Sequence, residues 1–136
     1  MKVISLKEPY ATLIQKKHKR IETRSWKTSY RGELYIHASK SIMSDPVTKY
    51  AYQYVEKKDL QCGYIIAKCK LVDCIEMTEE WIREIKENNP KEYQLGIYEV
   101  GRYAWILEEI EEIQPIPANG KLNIWDYKEE KNELRS

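Results

Sequence analysis

Along this chain, short runs of alternating apolar and polar residues are separated by brief stretches of helical spacing. Residues 3–5 open a strand. Pro9 suits the first turn of a helix, and Tyr10, Leu13 and Ile14 then supply an i, i+3, i+4 stripe. That helix runs out into Lys16-Lys17-His18-Lys19-Arg20. Residues 21–26 and 33–37 alternate and predict two strands, with Arg31-Gly32 as the turn between them. Residues 45–58 predict an amphipathic helix, with Asp45 as N-cap and Pro46 at its first position. Its apolar positions are Val47, Tyr50, Ala51, Tyr54 and Val55.

Residues 63–75 form a long β-rich run in which Ile65, Ala67, Cys69 and Leu71 share one face, and Ile66, Lys68 and Lys70 the other. Thr78 caps a helix whose buried stripe is Trp81, Ile82 and Ile85. Trp81 stands where a capping box would need Glu or Gln, so Thr78 is a plain cap. Asn88-Asn89-Pro90 stops that helix. Residues 103–107 predict another strand, extendable through Ile110 and Ile113. Pro115 and Pro117 exclude the following residues from a central strand, because proline donates no ladder hydrogen bond. Asn119-Gly120 marks a turn, and residues 122–127 form a last strand or a short helical cap. Strands therefore outnumber helices, and two or three short helices are inserted between them. The pattern predicts a mixed α+β domain around a curled or closed sheet.

A length of 136 residues suits one domain, with a domain expected over residues 1–128 and a polar tail over 129–136. Such a domain buries enough surface to fold without disulfide or metal. No Phe is present, and eleven Tyr and four Trp carry the aromatic load, each with a polar handle. Three cysteines without a CxxC signal neither a disulfide framework nor a zinc site; reduced and mostly buried thiols are expected, in a cytoplasmic protein. The start lacks a signal-peptide apolar run, and no stretch approaches the ~18 apolar residues of a membrane span. The net charge of +1 hides an asymmetry: residues 1–50 carry eleven Lys/Arg against four Asp/Glu, and residues 51–136 twelve against eighteen. A basic half fits a phosphate-bearing partner, and equally an uneven solvated surface.

Candidate chemistry gathers in residues 19–40. On a strand, Arg20, Glu22, Arg24 and Trp26 share one face, and Ile21, Thr23 and Ser25 the other. Two Arg beside a Glu are costly to bury unless paired. The set reads as a Glu22–Arg24 or Glu22–Arg31 structural pair, or as a Glu that aims guanidinium groups at a phosphate or base with Trp26 as a wall. His37, at a strand end, reads as a hydrogen-bonded structural residue or a catalytic one, and Ser39 and Lys40 sit where a strand gives way to a loop. Tyr103 and Trp105 share a face, as core or as a stacking platform. The acidic runs Glu108-Glu109-Ile110-Glu111-Glu112 and Glu129-Glu130 leave room for a protein partner, although such runs are usually solvated. Phosphate loops, HExxH and GxSxG are missing, and two histidines do not suggest a metal site.

The segments Ser5-Leu6-Lys7-Glu8-Pro9-Tyr10-Ala11, Lys19-Arg20-Ile21-Glu22-Thr23-Arg24-Ser25-Trp26 and Tyr30-Arg31-Gly32-Glu33-Leu34-Tyr35-Ile36-His37-Ala38 resemble the opening of an ASCH domain (activating signal cointegrator homology). Gly63-Tyr64-Ile65-Ile66-Ala67, Gly101-Arg102-Tyr103-Ala104-Trp105 and residues 115–125 are similar too, so the resemblance covers residues 3–127. It implies a PUA-like β-barrel, or pseudo-barrel, with a cleft beside the first helix. It also implies binding of RNA, another nucleic acid or a nucleotide, single-stranded RNA foremost, through Lys19, Glu22, Arg24, Ser25, Trp26, Arg31, His37, Ser39 and Lys40. No cofactor is implied. Some short members of the family resemble amidohydrolases of acetylated cytidine that use a Lys, a Thr and a Glu. Here that Lys falls on Lys19, but the Thr position falls on Glu22 rather than Thr23, and the third carboxylate has no assigned position. Lys19 and Glu22 are thus the candidate catalytic pair. Lys17 stands where the family often has Gly, which implies strain there or a different turn.

Overall fold

The computed structural model describes residues 1–128, and the tail expected at residues 129–136 lies outside them. The elements run β1 (Lys2–Glu8), α1 (Tyr10–Gln15), β2 (Ile21–Arg24), β3 (Gly32–Ile42), α2 (Thr48–Ala51), β4 (Tyr64–Glu76), α3 (Glu79–Asn88), α4 (Pro90–Gln94), β5 (Tyr103–Pro117) and β6 (Ile124–Asp126). A single turn of 3₁₀ helix at Lys57–Asp59 follows α2. The strands form one mixed sheet in the order β2-β5-β4-β3-β1-β6. β1 and β3 are parallel, and the other neighbours are antiparallel. Parallel neighbours need a crossover rather than a hairpin; α1 and β2 occupy that crossover. The sheet curls around Leu6, Leu34, Ile36, Leu71, Trp105 and Leu107, with Ile14 of α1 plugged into the same core. Its edges, β2 and β6, do not pair with each other, which makes the architecture a PUA-like pseudo-barrel rather than a closed barrel.

Several sequence expectations change in register or length. β2 pairs with β5, from Ile21 opposite Ile106 to Arg24 opposite Tyr103, and does not form a hairpin with β3. The link between β2 and β3 is too long for a tight turn, and Trp26 and Tyr30 within it pack on the main core. Ile65 does not share a face with Ala67. Register shifts beside it in both ladders send Ile65 to a cluster with Val3 and Trp125, while Ile66 and Ala67 both enter the main core. A β-bulge does this by placing two residues of one strand against one of its partner. β5 runs through Pro115 to Pro117, but β2 reaches only Tyr103–Ile106 of it. The prolines thus lie where β5 has a neighbour on one side, as their missing donors require.

The helix expected at 45–58 is reduced to one turn. Asp45 accepts from Val47 N at 2.9 Å and Thr48 N at 3.1 Å, but the helix starts later than expected, so its N-cap position falls on Val47 and Pro46 lies ahead of it. Beyond Ala51 the chain carries Tyr52, Tyr54 and Val55, which are poor helix formers. Glu56 and Asp59 then start a separate turn with a reciprocal capping box. The apolar stripe still finds its core, since Ala51 and Val55 are buried with Leu13 and Leu95. Thr78 caps α3 through Trp81 N at 3.1 Å as expected, but α4 follows at once, with Pro90 at its first turn. Of the cysteines only Cys69 is buried; Cys62 and Cys74 are partly exposed. Among the described residues no helix is long and apolar enough to cross a membrane.

Glu8 ties the end of β1 to α1 and to the segment before β4. Fully buried, its carboxyl oxygens accept from Thr12 N at 2.8 Å, Thr12 Oγ1 at 2.5 Å and Gln61 N at 2.9 Å. Removing such an acceptor strands buried donors. Glu8→Ala should therefore lower unfolding stability by about 3 kcal/mol, read as a shift of the urea midpoint with an unchanged slope.

Candidate functional site

The site starts where α1 ends. After Gln15 the chain reverses through Lys17, whose φ of 64° is left-handed. That conformation is costly for a residue with a side chain, and it accounts for the glycine usual at this position in the resembling family. Both His18 N and Lys19 N then donate to Leu13 O, so the chain folds back under its own helix. This hairpin carries Lys19 inward, and its side chain is fully buried. Lys19 Nζ donates to Leu95 O at 2.8 Å and lies 5.5 Å from the centre of the Tyr10 ring. An ammonium has three donors, and Leu95 takes one. Burial draws the Lys19 pKa below its ordinary value, and the nearby Glu22 and Glu92 carboxylates only partly offset this.

Three features hold this segment in place, and the sequence reading missed all three. Glu92 of α4 is buried and accepts from the backbone N–H of Arg20 and, at 3.4 Å, of Ile21. Burial pushes its own pKa up. Gly96 leaves room for the ammonium, since a Cβ there would stand 3.2 Å from Lys19 Nζ and 2.9 Å from Tyr98 Cε1. Arg102 donates from Nε to Ile97 O and from Nη2 to Thr23 O, both at 3.2 Å, while Ile97 N donates to Thr23 Oγ1 at 3.1 Å. An isolated Gly after a short helix and an Arg before a strand were the only signals in the sequence, and neither specifies these partners.

A cavity of about 620 Å³ opens beside Lys19. Lys19, Glu22, Thr23 and Arg24 form one wall. The opposite wall is Ser5 and Lys7 of β1 with His37, Ser39 and Lys40 of β3. A strap at residues 118–123 closes a third side. Gly120 lets this strap approach closely, since a Cβ there would stand 3.0 Å from Ser5 Oγ and 3.1 Å from His37 Cε1. Among the described residues, Lys7, Lys19, Arg24, Lys40 and Lys121 line the cavity against one carboxylate, that of Glu22. Glu22 Oε2 holds Arg24 Nη1 at 3.2 Å, so the acid orients that guanidinium, and its charge also reaches Lys19. Ser39 Oγ is buried in this wall with no hydrogen-bond partner among the described residues.

The structure separates the nine residues singled out from the sequence. Lys19, Glu22, Arg24, His37, Ser39 and Lys40 line the cavity; Ser25, Trp26 and Arg31 do not. Trp26 is not a wall of the site. It packs edge-on against Trp105, with ring centres 4.7 Å apart, and supports Arg24 from behind at 5.7 Å. Arg31 points away, donating to the carbonyls of Thr28 and Tyr30. Ser25 is exposed outside the cavity. Thr23, expected on the far face of its strand, lines the cavity as well. β2 is a four-residue edge strand paired on one side only, so its open side meets the cavity from both faces.

His37 is hydrogen-bonded through both ring nitrogens. Its Nε2 faces the Ala118 carbonyl at 2.8 Å and must carry the proton. Nδ1 then accepts from Ser5 Oγ at 3.0 Å, and Ser5 Oγ accepts from Trp125 Nε1 at 3.0 Å. Burial lowers the His37 pKa, which keeps the ring neutral. This relay anchors the strap to β3. Trp105 is fully buried in the main core and Tyr103 packs against it, so that pair is not a stacking platform. Much of the acidic run on β5 is internally paired, with Glu109 to Lys70 at 2.9 Å, Glu111 to Lys68 at 3.5 Å and Glu112 to Lys16 at 2.9 Å. Glu129-Glu130 lies outside the described residues.

The model of the ASCH domain family matches residues 4–117. The chain belongs to the ASCH domain family. The ASCH fold also appears in its structural neighbours. The ASCH protein of Zymomonas mobilis superposes with a TM-score of 0.55 at 17% identity, over 85% of this chain and 72% of that one. Two single-residue mutants of that Zymomonas mobilis protein each give 0.53, at 18% and 19% identity, over 85% of this chain and 74% and 72% of theirs. No curated protein matches the chain.

In this ASCH domain the buried ammonium opposes folding. Lys19→Met should raise the melting temperature by at least about 2 °C at neutral pH. The sign follows from the lowered pKa. Between that pKa and 10.5 the unfolded chain holds more protons than the folded one, so wild-type stability rises with pH there. The advantage of Lys19→Met should shrink across the same window. Thermal melts of both proteins over a pH series give the comparison.

Proposed function

We propose that this ASCH domain binds single-stranded nucleic acid, RNA foremost, by taking a nucleotide into the Lys19 cavity. The observation that carries the reading is the ammonium itself. A lysine withdrawn wholly from water, with one hydrogen-bond acceptor for its three donors among the described residues, is a poor structural device and a good anion receptor. Arg24, aimed by Glu22, supplies a planar guanidinium suited to a phosphate or a base edge. Lys7, Lys40 and Lys121 continue the positive field along the rim, where a backbone can follow it. The unpartnered Ser39 hydroxyl offers a sugar or base one further polar contact.

If the domain neutralises about four phosphates, log K for a single-stranded oligonucleotide should fall with log salt at a slope of roughly −3. Lys19→Met and Arg24→Ala should each weaken binding at least tenfold at low salt, the usual scale for a charge-assisted contact. Fluorescence titrations at several salt concentrations measure both quantities. Binding that ignores salt and both substitutions contradicts the proposal.

A second reading, hydrolysis of an amide on a modified nucleoside, is favoured by the lowered pKa of Lys19. An amine of reduced basicity inside a cleft is suited to take a proton from water. The resulting hydroxide would attack the amide carbonyl, and the departing amine would take the proton. Thr23 beside Lys19 gives this reading a hydroxyl at the cavity wall, although that hydroxyl already accepts from Ile97 N. Incubation with N4-acetylcytidine, followed by chromatography, tests it: release of cytidine by the wild type and not by Lys19→Met supports it, and no release removes it.

A further inference from the structure

β3 does not end at the cavity. It continues to Ile42, and beyond its C-terminal end lies a second hollow of about 860 Å³. Met43 lines both hollows. Lys40 and the Ala118-Asn119 part of the strap also line a shallower depression, which shares Cys62 and Tyr64 with the second hollow. The three concavities therefore adjoin one another around the end of β3.

The chemistry of the second hollow differs from that of the first. It is lined by Tyr52 and Tyr64 with Ile42, Leu60 and Pro115, and among the described residues no Asp or Glu lines it. Tyr64 is 40% exposed and Ile42 56%, both uncovered for their size. Lys57 Nζ stands 5.6 Å from the centre of the Tyr52 ring. The order around β3 is therefore a cation-rich cavity, then Lys40, then the exposed ring of Tyr64 and the half-buried ring of Tyr52 with Lys57 over it. Alternation of cations with open aromatic faces suits a polyanion that carries planar groups. A neutral peptide or lipid would gain nothing from the lysines, and an acidic one brings few planar groups to set against the tyrosines.

We infer that this second hollow is a stacking subsite for a neighbouring nucleotide, so that the ligand is an oligonucleotide rather than a free nucleotide. A strand leaving the Lys19 cavity crosses Lys40, lays its next base against Tyr64 and Tyr52, and sets the accompanying phosphate near Lys57. The inference rests on the nucleic-acid reading of the Lys19 cavity and goes beyond it in naming a second subsite and the path of the strand between the two.

The test compares uridine 5′-monophosphate with a labelled oligouridylate of about eight nucleotides. Tyr64→Ala should weaken the oligonucleotide by roughly 5- to 150-fold, the usual worth of one stacked base, and leave the mononucleotide unchanged. Tyr64→Trp, which keeps an aromatic face, should restore oligonucleotide binding. Lys57→Ala should reduce the salt slope of the oligonucleotide by about 0.7, one phosphate contact fewer on a single strand. An oligonucleotide that binds through Lys19 yet ignores Tyr64→Ala and Lys57→Ala overturns the subsite and leaves the cavity's role standing. Equal weakening of both ligands by Tyr64→Ala also overturns it. If neither ligand binds the wild type, both the subsite and the reading beneath it fall.

Discussion

The functional half of this domain turns on one lysine held out of water. Taking an ammonium from water into protein costs several kcal/mol after relaxation, and a single carbonyl of Leu95 returns only part of that. The surrounding architecture is arranged so that Lys19 cannot escape. The left-handed turn at Lys17 aims it inward, Glu92 pins the backbone beside it, and Gly96 leaves space where any side chain would intrude. Arg102 ties the facing loop to β2. The sheet contributes the opposite wall, because the alternation that buries Leu6, Ile36 and Ala38 in the core turns Ser5, His37 and Ser39 toward the cavity. Fold and site thus use the two faces of the same strands.

Charge follows the same division. The basic excess of the first fifty residues is not spread evenly in its effect. Lys16 is neutralised by Glu112 and Arg31 turns to nearby carbonyls, whereas Lys7, Lys19, Arg24 and Lys40 border one cavity. The acid-rich half is used partly on β5, where Glu109 and Glu111 meet Lys70 and Lys68 across the ladder. The field that a polyanion would meet is therefore local, set by which cations gather at the cavity rather than by the net charge of +1.

Much of this was legible in the residues. Alternation around Leu34 and Ile36 placed His37 opposite the core, and the ordered segments named the family and its fold. Glu22 and Arg24 could be paired from their i, i+2 spacing on a strand. Other parts depend on distances that local pattern does not encode. The partner of β2 is β5, about eighty residues away, chosen by the burial of Ile21 with Met77 and Ala104. Glu92 and Leu95 reach Lys19 only because α4 folds against that strand. Trp26 looked like a site wall by alternation, but the link after Arg24 leaves the strand and drops the ring onto Trp105. The helix at 45–58 shows the reverse case, in which an amphipathic stripe was satisfied by a core contact without a continuous helix.

The central claim is that Lys19 is kept at a reduced proton affinity until an anion arrives. Its direct measure is the pKa of the Lys19 side chain, followed by NMR through its Cε and Nζ resonances, with and without a saturating single-stranded oligonucleotide. The account predicts a free-state pKa below the ordinary 10.5 and a rise when the oligonucleotide binds, with affinity falling as pH climbs through the free-state value. A free-state pKa at the ordinary lysine value, or one that does not move with bound oligonucleotide, would contradict it.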